Sequence, residues 1–575
     1  MKLSPLLQLT TLLSAMLTSG AAWGQSTDSA VVPADVHGTN GLAMIDWIII
    51  VVYAGGTILL GWYYSRRQSS TKEYFVGTGN MNPLLIGVSL FATLLSTITY
   101  LSLPGENIGK GPMYLLSMLA MPAVFWFVGF VLLPVYMKQR VTSAYELLEE
   151  KLGPEIRTLG ALMFVTLRLI WMSLLIYLTA KAMTTMLGVG EERIPQIALI
   201  TGFVAVIYTS MGGLRAVVIT DFLQTILLFG GAWLVLATIT WNLGGLRWIP
   251  TKWNPNWDVQ PIFSTDPSTR VTLFGTILGY FVWYVCTLGG DQTSVQRFMA
   301  TKDAGAARRA LATQLLVNLA VSITLALVGF ALLGYFTAHP ERLTSTMTLA
   351  ENADDIFPHF IAFHLPPGVS GLVVSAMFAA AMSSIDSGVN SITAVVMTDL
   401  IGRRRPTMSG TDAAVDKAQP TPYTAPGSET SDAAAEDRRH VVTARWMAFV
   451  IGGIVVAVSS QMGAVPGNIT AVTTKTANLL TTPIFALFFF ALFVPFASPK
   501  GVIIGAIFGV TTAASIAFSG PISAMVGPLV GYVPQTEKDP ISFQWIAPIA
   551  ITVNLAAGCI GSLLFPRPSP PSTDH

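Results

Sequence analysis

The chain has 575 residues, of which 52% are hydrophobic and only 11% are charged, and its formal net charge is +1. Soluble domains carry roughly 25% charged residues, so most of this chain is expected to lie in lipid, and its mean hydropathy of +0.61 agrees with that. The near-zero net charge provides no basic field that would attract nucleic acid. The two cysteines lie in apolar segments and indicate neither a disulfide framework nor a thiolate metal site.

The first segment has the pattern of a secretory signal peptide. Lys2 precedes an apolar run from Leu6 to about Leu17, and small residues follow up to Gly24. We therefore predict a signal peptide over residues 1–24; an uncleaved hydrophobic tail is the alternative. Either interpretation places the residues that follow outside the cytoplasm.

Thirteen apolar runs of about 20 residues come next, the length that crosses a bilayer as a helix. They lie near 43–63, 83–104, 113–137, 159–186, 194–210, 214–240, 271–294, 310–336, 368–397, 441–462, 470–496, 502–520 and 544–565. An external start and an odd number of spans put the carboxyl terminus, with the tail 566–575, in the cytoplasm. Basic residues, Arg297 among them, concentrate in the loops that this topology makes cytoplasmic.

One of these loops differs from the others in composition. Residues 402–439 are rich in Pro, Ser, Thr, Ala and Asp and have little apolar surface to bury. A segment of this kind is predicted to be a disordered cytoplasmic linker.

A cluster of oxygen-bearing side chains interrupts the ninth span. Residues 383–391 place hydroxyls, an amide and the carboxylate of Asp386 inside a stretch that is otherwise apolar. Polar groups in hydrocarbon are costly and usually mark a site, and hard cations such as sodium prefer oxygen ligands. The pattern predicts an ion-coupled transporter.

Two spans look discontinuous. The second carries hydroxyl residues from Ser96 to Ser102 and closes at Pro104, and Gly289, Gly290 and Asp291 interrupt the seventh. Broken helices at corresponding places are typical of inverted-repeat transporters, whose ion and solute sites form at the breaks. We predict one repeat over 83–240 and a second over 271–496, with a leading helix at 43–63 and trailing helices at 502–565. Two ordinary helices with polar kinks are the alternative.

Two longer motifs resemble the paired signatures of the sodium/solute symporter family. They are GGLRAVVITDFLQ at 212–224 and AAAMSSIDSGVNSITAVVMTDL at 379–400, and the likeness extends over nearly all of 43–496. The resemblance implies an all-α integral membrane protein with a LeuT-type five-plus-five inverted repeat and about 13 transmembrane helices. It also implies sodium-coupled import of a small organic solute. The second span and the run 177–179 are similar to the bacterial sialic-acid symporter branch.

The resemblance also implies two cation sites. The main sodium site would take backbone carbonyls and hydroxyls from Ala92, Leu95, Ala380, Ser383 and Ser384. The second site, present in some members, would map to Asp221, Ser383, Asp386 and Ser387. Here the chain departs from the family, because Asp386 stands where a neutral residue is common. That carboxylate could strengthen a cation site, take up a proton, or pair with a basic group such as Arg215. The small residues at 379–381 also suit close helix packing.

The solute site follows from the same alignment. Its expected residues are Ser96, Thr99, Ser117, Arg168, Thr474 and Lys475. The arginine that holds the carboxylate in the sialic-acid branch falls at Trp171, and Arg168, one turn away, is the expected substitute. Basic residues inside the membrane favour an organic anion over a sugar. Lys475 also fits a side chain that reaches the membrane interface.

Other classes of protein fit the sequence less well. No HExxH, Walker loop or nucleophile elbow appears, so an enzyme is not expected. Sodium is the one expected cofactor, and the expected partners are a solute and the bilayer of the cell inner membrane, with the chain acting as a monomer. The runner-up is a transporter-like sensor that binds sodium and solute and signals through a cytoplasmic partner.

Overall fold

The computed structural model describes residues 41–65, 79–138, 143–255, 257–259, 261–345, 347–401, 431–462, 469–526 and 539–567. The predicted signal peptide lies outside these residues. Within them, every regular element is helical.

A broken helix opens the first group of elements after the leading helix. The order is α1 (Met44–Ser65), α2 (Pro83–Leu94), α3 (Thr97–Gly109), α4 (Pro112–Lys138), α5 (Glu146–Leu152), α6 (Pro154–Leu187), α7 (Glu191–Met211) and α8 (Gly213–Asn242). The bend between α2 and α3 is 67°. α7 meets α8 at Gly213, whose φ of 66° is readily adopted only by glycine.

The second group repeats this order. It consists of α9 (Leu273–Gly290), α10 (Gln292–Met299), α11 (Ala304–Ala338), α12 (Ala353–Phe363), α13 (Val369–Ile401), α14 (Ser431–Ser459) and α15 (Ile469–Phe493). In both groups a broken helix is followed by one long helix, one short helix and three long helices. That is the order expected of an inverted repeat. The trailing elements are α16 (Pro499–Ala517), α17 (Ser519–Val526) and α18 (Ile546–Leu564).

The helices are suited to a bilayer by their length and by the side chains they present. In the described part of the chain, 12 helices are long and apolar enough to cross a membrane, or 13 if α2 and α3 count as one bent span. Large apolar side chains such as Trp126, Phe130, Trp233 and Ile507 are exposed on the outside of the bundle. An apolar surface of this kind suits contact with lipid rather than water.

Local sequence explains both breaks. Leu95 (φ −85°, ψ 122°) and Ser96 (φ −116°, ψ 171°) are extended, so α2 stops and α3 starts afresh. Asp291 is likewise extended, and its side chain accepts a hydrogen bond from the Thr293 N–H at 2.8 Å, so it acts as the N-cap of α10. Gly290 closes α9 where a Cβ would lie 2.8 Å from the Phe485 Cα.

The predicted linker needs one correction. Residues 402–430 lie outside the described part of the chain, but α14 begins at Ser431, inside the predicted linker 402–439. The prediction of disorder is therefore wrong for 431–439. The alanines and charged residues of this segment are good helix formers, and the segment continues directly into an apolar span.

Candidate functional site

Carbonyl oxygens become available where α2 stops. The last four carbonyls of a helix have no N–H partner within it, and the extended backbone at Leu95 keeps the next residues from supplying one. The Ser384 hydroxyl of α13 lies 3.2 Å from the Leu95 carbonyl oxygen and 3.3 Å from that of Thr93. Leu95 and Ser384 are 3% and 4% exposed. Neutral oxygens from two elements thus meet in a buried place, an arrangement that suits a hard cation.

The face of α13 that meets this break includes Ala380. Thr97, at the start of α3, donates from Oγ1 to the Met377 carbonyl at 3.0 Å. Ala380 lies three residues after Met377 and four before Ser384, spacings that share one helix face. Ala92 lies in the last turn of α2 and is buried. The structure therefore brings Ala92, Leu95, Ala380 and Ser384 to one break.

The hydroxyl of Ser383 has a different partner. It donates to Asp221 Oδ1 on α8 at 2.5 Å, and the Ser89 hydroxyl of α2 donates to Asp221 Oδ2 at 2.5 Å. A hydroxyl that donates one hydrogen bond keeps lone pairs for a cation. Ser383 can therefore hold Asp221 in place and still contribute an oxygen ligand. Asp386 lies on the same helix and is 1% exposed.

A buried arginine lies among the residues of the predicted second cation site. Arg297 Nη2 is 3.5 Å from Asp221 Oδ2 and donates to the Ser387 hydroxyl at 2.5 Å. Arg297 Nε donates to the Ser89 hydroxyl at 2.8 Å. The side chain of Arg297 is 1% exposed and that of Asp221 is 0% exposed. The arginine, the aspartate and the serines form one hydrogen-bonded cluster.

The sequence placed Arg297 in a cytoplasmic loop, and that prediction is wrong. The α10 helix, which carries Arg297, is buried along its whole length, and a carboxylate and two hydroxyls make burial of the guanidinium tolerable. A signal was available, because Arg297 follows the interruption at Asp291 within two helical turns. The second half of a broken helix lines the interior, so a charge there faces other helices rather than a loop.

A small, partly open cavity lies beside the break. Its volume is about 150 Å³, and Leu94 and Thr99 are on its wall. Ser117 and Thr474, which are expected at the solute site, line it, and aromatic side chains, Trp171 among them, line it as well. The lining residues in the described part of the chain include no charged side chain. Their polar groups are hydroxyls and amides, which can bind a polar solute by hydrogen bonds.

Three predicted solute-binding residues lie elsewhere. Arg168 Nη2 forms an ion pair with Asp291, and the two side chains are 9% and 7% exposed. Lys475 Nζ lies 2.5 Å from Asp539 Oδ2. Neither basic residue lines the cavity. Ser96 is the N-cap residue of α3 with a buried hydroxyl and is not on the cavity wall either.

An ion pair stands at the edge of the cavity. Arg270 donates two hydrogen bonds to the carboxylate of Glu106, both of 2.6 Å. The guanidinium carbon of Arg270 is 5.5 Å from the ring centre of Phe543, and Phe543 lines the cavity. The pair therefore ties α3 to the segment before α9 next to the solute cavity. Bidentate pairs of this type are among the strongest polar contacts.

Comparison with known proteins identifies the family. The profile of the sodium:solute symporter family matches residues 74–418. The chain belongs to the sodium:solute symporter family. The sodium/sialic acid symporter NanT of Aliivibrio fischeri is 30% identical to this symporter over 362 residues, which are 62% of this chain and 70% of NanT. The sodium/sialic acid symporter SiaT of Proteus mirabilis is 29% identical over 377 residues, which are 63% and 72% of the two chains.

A solved structure establishes the fold class. A Na⁺-coupled sialic acid symporter in a substrate-bound, outward-open state matches this symporter with a TM-score of 0.69 and 23% identity, covering 91% of this chain and 99% of the other. The LeuT-type fold and the family assignment made from sequence are confirmed. The protein is a sodium-coupled, multi-pass membrane transporter rather than an enzyme.

Proposed function

We propose that this symporter imports a small organic solute with sodium across the cell inner membrane by alternating access. It acts as a monomer with its amino terminus outside and its carboxyl terminus in the cytoplasm. The contact of the Ser384 hydroxyl with the Leu95 and Thr93 carbonyl oxygens carries the proposal. Sodium bound to these oxygens ties α13 to the broken helix and stabilises one shape of the break. Solute binding beside the break then raises sodium affinity by the same factor as sodium raises solute affinity.

The cavity supports a polar solute of sugar-like chemistry. Hydroxyl groups such as that of Ser117 can bond to several solute hydroxyls, and the face of Trp171 can pack against a ring. The relatives NanT and SiaT are sialic acid symporters by name, which supports an organic anion. The lining side chains that the structure describes offer no positive charge, but Leu94 lines the cavity and its neighbour Leu95 borders the proposed sodium site. The positive charge of bound sodium can therefore offset the negative charge of a solute carboxylate. For this reason we propose a sugar acid rather than a neutral sugar as the solute.

Uptake into proteoliposomes tests this function. Labelled sialic acid, a hexose, pyruvate and proline are each supplied with and without an inward sodium gradient. We expect sodium-driven accumulation of sialic acid or a related sugar acid. Accumulation of the hexose alone would overturn the solute class while leaving sodium coupling in place. Accumulation that is equal with and without sodium would overturn the coupling site.

A pair of threonine variants on α15 tests the cavity itself. Thr474 lines the cavity, whereas Thr481, two turns further on, is not on the cavity wall. The hydroxyl of each donates to a carbonyl of its own helix, at 2.8 Å to Thr470 and at 2.5 Å to Ala477, so the two variants lose the same local bond. Thr474→Ala should raise the half-saturating solute concentration, and Thr481→Ala should leave it unchanged. Equal solute affinities in the two variants would count against this cavity as the binding site.

A further inference from the structure

A glutamine from one of the trailing elements lies on the wall of the cavity. Gln544 belongs to the short turn that leads into α18, is 6% exposed, and lines the cavity next to Thr276 and Gly279 of α9. The other polar side chains that line the cavity in the described part of the chain come from α3, α4, α6, α9 and α15. A trailing helix therefore contributes a polar side chain to the cavity, which the sequence did not indicate.

Two glycines let α9 come close to this glutamine. Gly275 and Gly279 are four residues apart and share one face of α9. A Cβ at Gly275 would lie 2.6 Å from Gln544 Cδ, and a Cβ at Gly279 would lie 2.6 Å from the Gln544 carbonyl oxygen. Small residues of this kind allow a close approach between two elements. The first turns of α9 thus form a surface that fits Gln544.

Hydrogen bonds fix the orientation of the Gln544 carboxamide. The Thr272 N–H, which can only donate, lies 3.1 Å from Oε1, and the Thr276 hydroxyl lies 3.2 Å from the same oxygen. The Thr269 carbonyl, which can only accept, lies 3.0 Å from Nε2. A side-chain amide has two N–H donors, and the described residues provide Nε2 with no other acceptor. One N–H on the cavity wall is therefore left for a solute.

The chemistry of the cavity indicates which solute group this N–H meets. An N–H can only donate, and an ionised carboxylate accepts hydrogen bonds about twice as strong as a neutral oxygen does. The lining side chains that the structure describes include no basic group. Arg270, beside the cavity, already donates two hydrogen bonds to Glu106. A solute carboxylate in this cavity thus depends on neutral donors for its hydrogen bonds.

We propose that Gln544 is a solute-binding residue that donates a hydrogen bond from Nε2 to the carboxylate of a sugar acid. The inference rests on the proposed function, because it assumes that a sugar acid binds in this cavity. Contacts with Thr269, Thr272 and Thr276 hold the amide in the donating orientation before the solute arrives, so little side-chain freedom is lost on binding. The turn before α18 thereby takes part in the choice of solute.

Gln544→Glu removes the donor and keeps the other contacts of the side chain. The remaining oxygen still accepts from Thr272 and Thr276. An ionised glutamate has no proton to donate, and a protonated one has a single proton, which the Thr269 carbonyl accepts. The dissociation constant of sialic acid, measured in sodium from the solute-dependent rise in melting temperature, should increase roughly tenfold or more. That of sialic acid methyl ester should increase less, because a neutral ester oxygen accepts a weaker hydrogen bond.

Ser542→Ala is the matched control in the same turn. The Ser542 hydroxyl donates to the Arg270 carbonyl at 2.6 Å, and Ser542 is not on the cavity wall. This variant loses a contact between the same two segments without a change in the lining, so it should bind sialic acid as the wild type does. Equal sialic acid affinities in Gln544→Glu and Ser542→Ala would show that Gln544 only fastens α18 to α9, and the proposal would be overturned.

Binding and transport are measured separately, so the failure of this proposal differs from the failure of the proposed function. Gln544→Met, which has a similar length and no donor, replaces Gln544→Glu if the latter does not fold, with the same expected loss. A wild type that binds sialic acid no more tightly than its methyl ester would overturn the carboxylate assignment without any variant. Sialic acid binding that weakens in Gln544→Glu, combined with uptake that ignores the sodium gradient, would support Gln544 and refute the proposed coupling.

Discussion

Ser384→Ala is the most direct test of the main sodium site. The Ser384 hydroxyl is the side-chain oxygen that contacts the break, at 3.2 Å from the Leu95 carbonyl and 3.3 Å from the Thr93 carbonyl. Its neighbour Ser383 is less suitable, because its hydroxyl also donates to Asp221 and its loss would disturb the arginine cluster as well. Removing the Ser384 hydroxyl should therefore weaken sodium binding with little effect on other polar contacts.

The expected size of the effect follows from the energy of one neutral oxygen facing a buried charge. Hydrogen bonds between a neutral and a charged group contribute about 1.5–3 kcal/mol, and a hydroxyl oxygen that ligates sodium makes an interaction of similar kind. Since each 1.4 kcal/mol is a factor of ten in affinity, the half-saturating sodium concentration should rise roughly 10- to 100-fold. Solute affinity at saturating sodium should change much less, because Ser384 does not line the cavity.

The assay is a sodium titration of the initial uptake rate at saturating solute, supported by the sodium dependence of the melting temperature. Thr393→Ala is the control on the same helix, because the Thr393 hydroxyl is bonded at 2.7 Å to the Val389 carbonyl within α13. The control should keep the wild-type sodium response. If Ser384→Ala also keeps the wild-type sodium response, sodium does not bind at this break. The carbonyl oxygens that lack a helical N–H partner there would then not be sodium ligands.

Two further ion pairs yield predictions about stability and access. Arg168→Met leaves the Asp291 carboxylate buried without its ion-pair partner, which should cost about 3–5 kcal/mol of stability and appear as a lower melting temperature. Adding Asp291→Asn should recover much of that loss with a near wild-type solute half-saturation, whereas a solute defect in this stable double variant would restore Arg168 to the solute site. Glu106→Gln weakens the two 2.6 Å bonds to Arg270 beside the cavity by about 1.5–3 kcal/mol and should speed exchange of bound solute; an unchanged exchange rate would show that this pair does not control access.

The two helix breaks could be predicted because their causes are local. Gly289, Gly290 and Asp291 combine weak helix formers with an N-cap residue, and the structure ends α9 and starts α10 at that point. The hydroxyl-rich stretch near Ser96 marked the other break. Extended backbone at these positions needs no information from distant parts of the chain, so the local sequence is enough to predict it.

The lining of the cavity could be predicted only in part. Thr99, Ser117 and Thr474 line the cavity, but Arg168 is paired with Asp291 and Lys475 with Asp539. The basic residues were assigned by their presence in apolar spans, which shows that each needs a partner but not which partner it has. A carboxylate of the protein satisfies this need as well as a carboxylate of the solute does.

The sequence by itself determined the membrane class, the number of spans, the two breaks and the supply of neutral oxygens at 383–387. These features depend on the hydropathy and backbone preferences of short stretches of sequence, so they can be predicted from neighbouring residues alone. Only the tertiary structure decided which charges meet. Arg297 and Asp221 are 76 residues apart and Arg168 and Asp291 are 123 apart, and each pair comes from different helices. Their pairing depends on how α6, α8 and α10 pack around the breaks, and no local pattern records that packing.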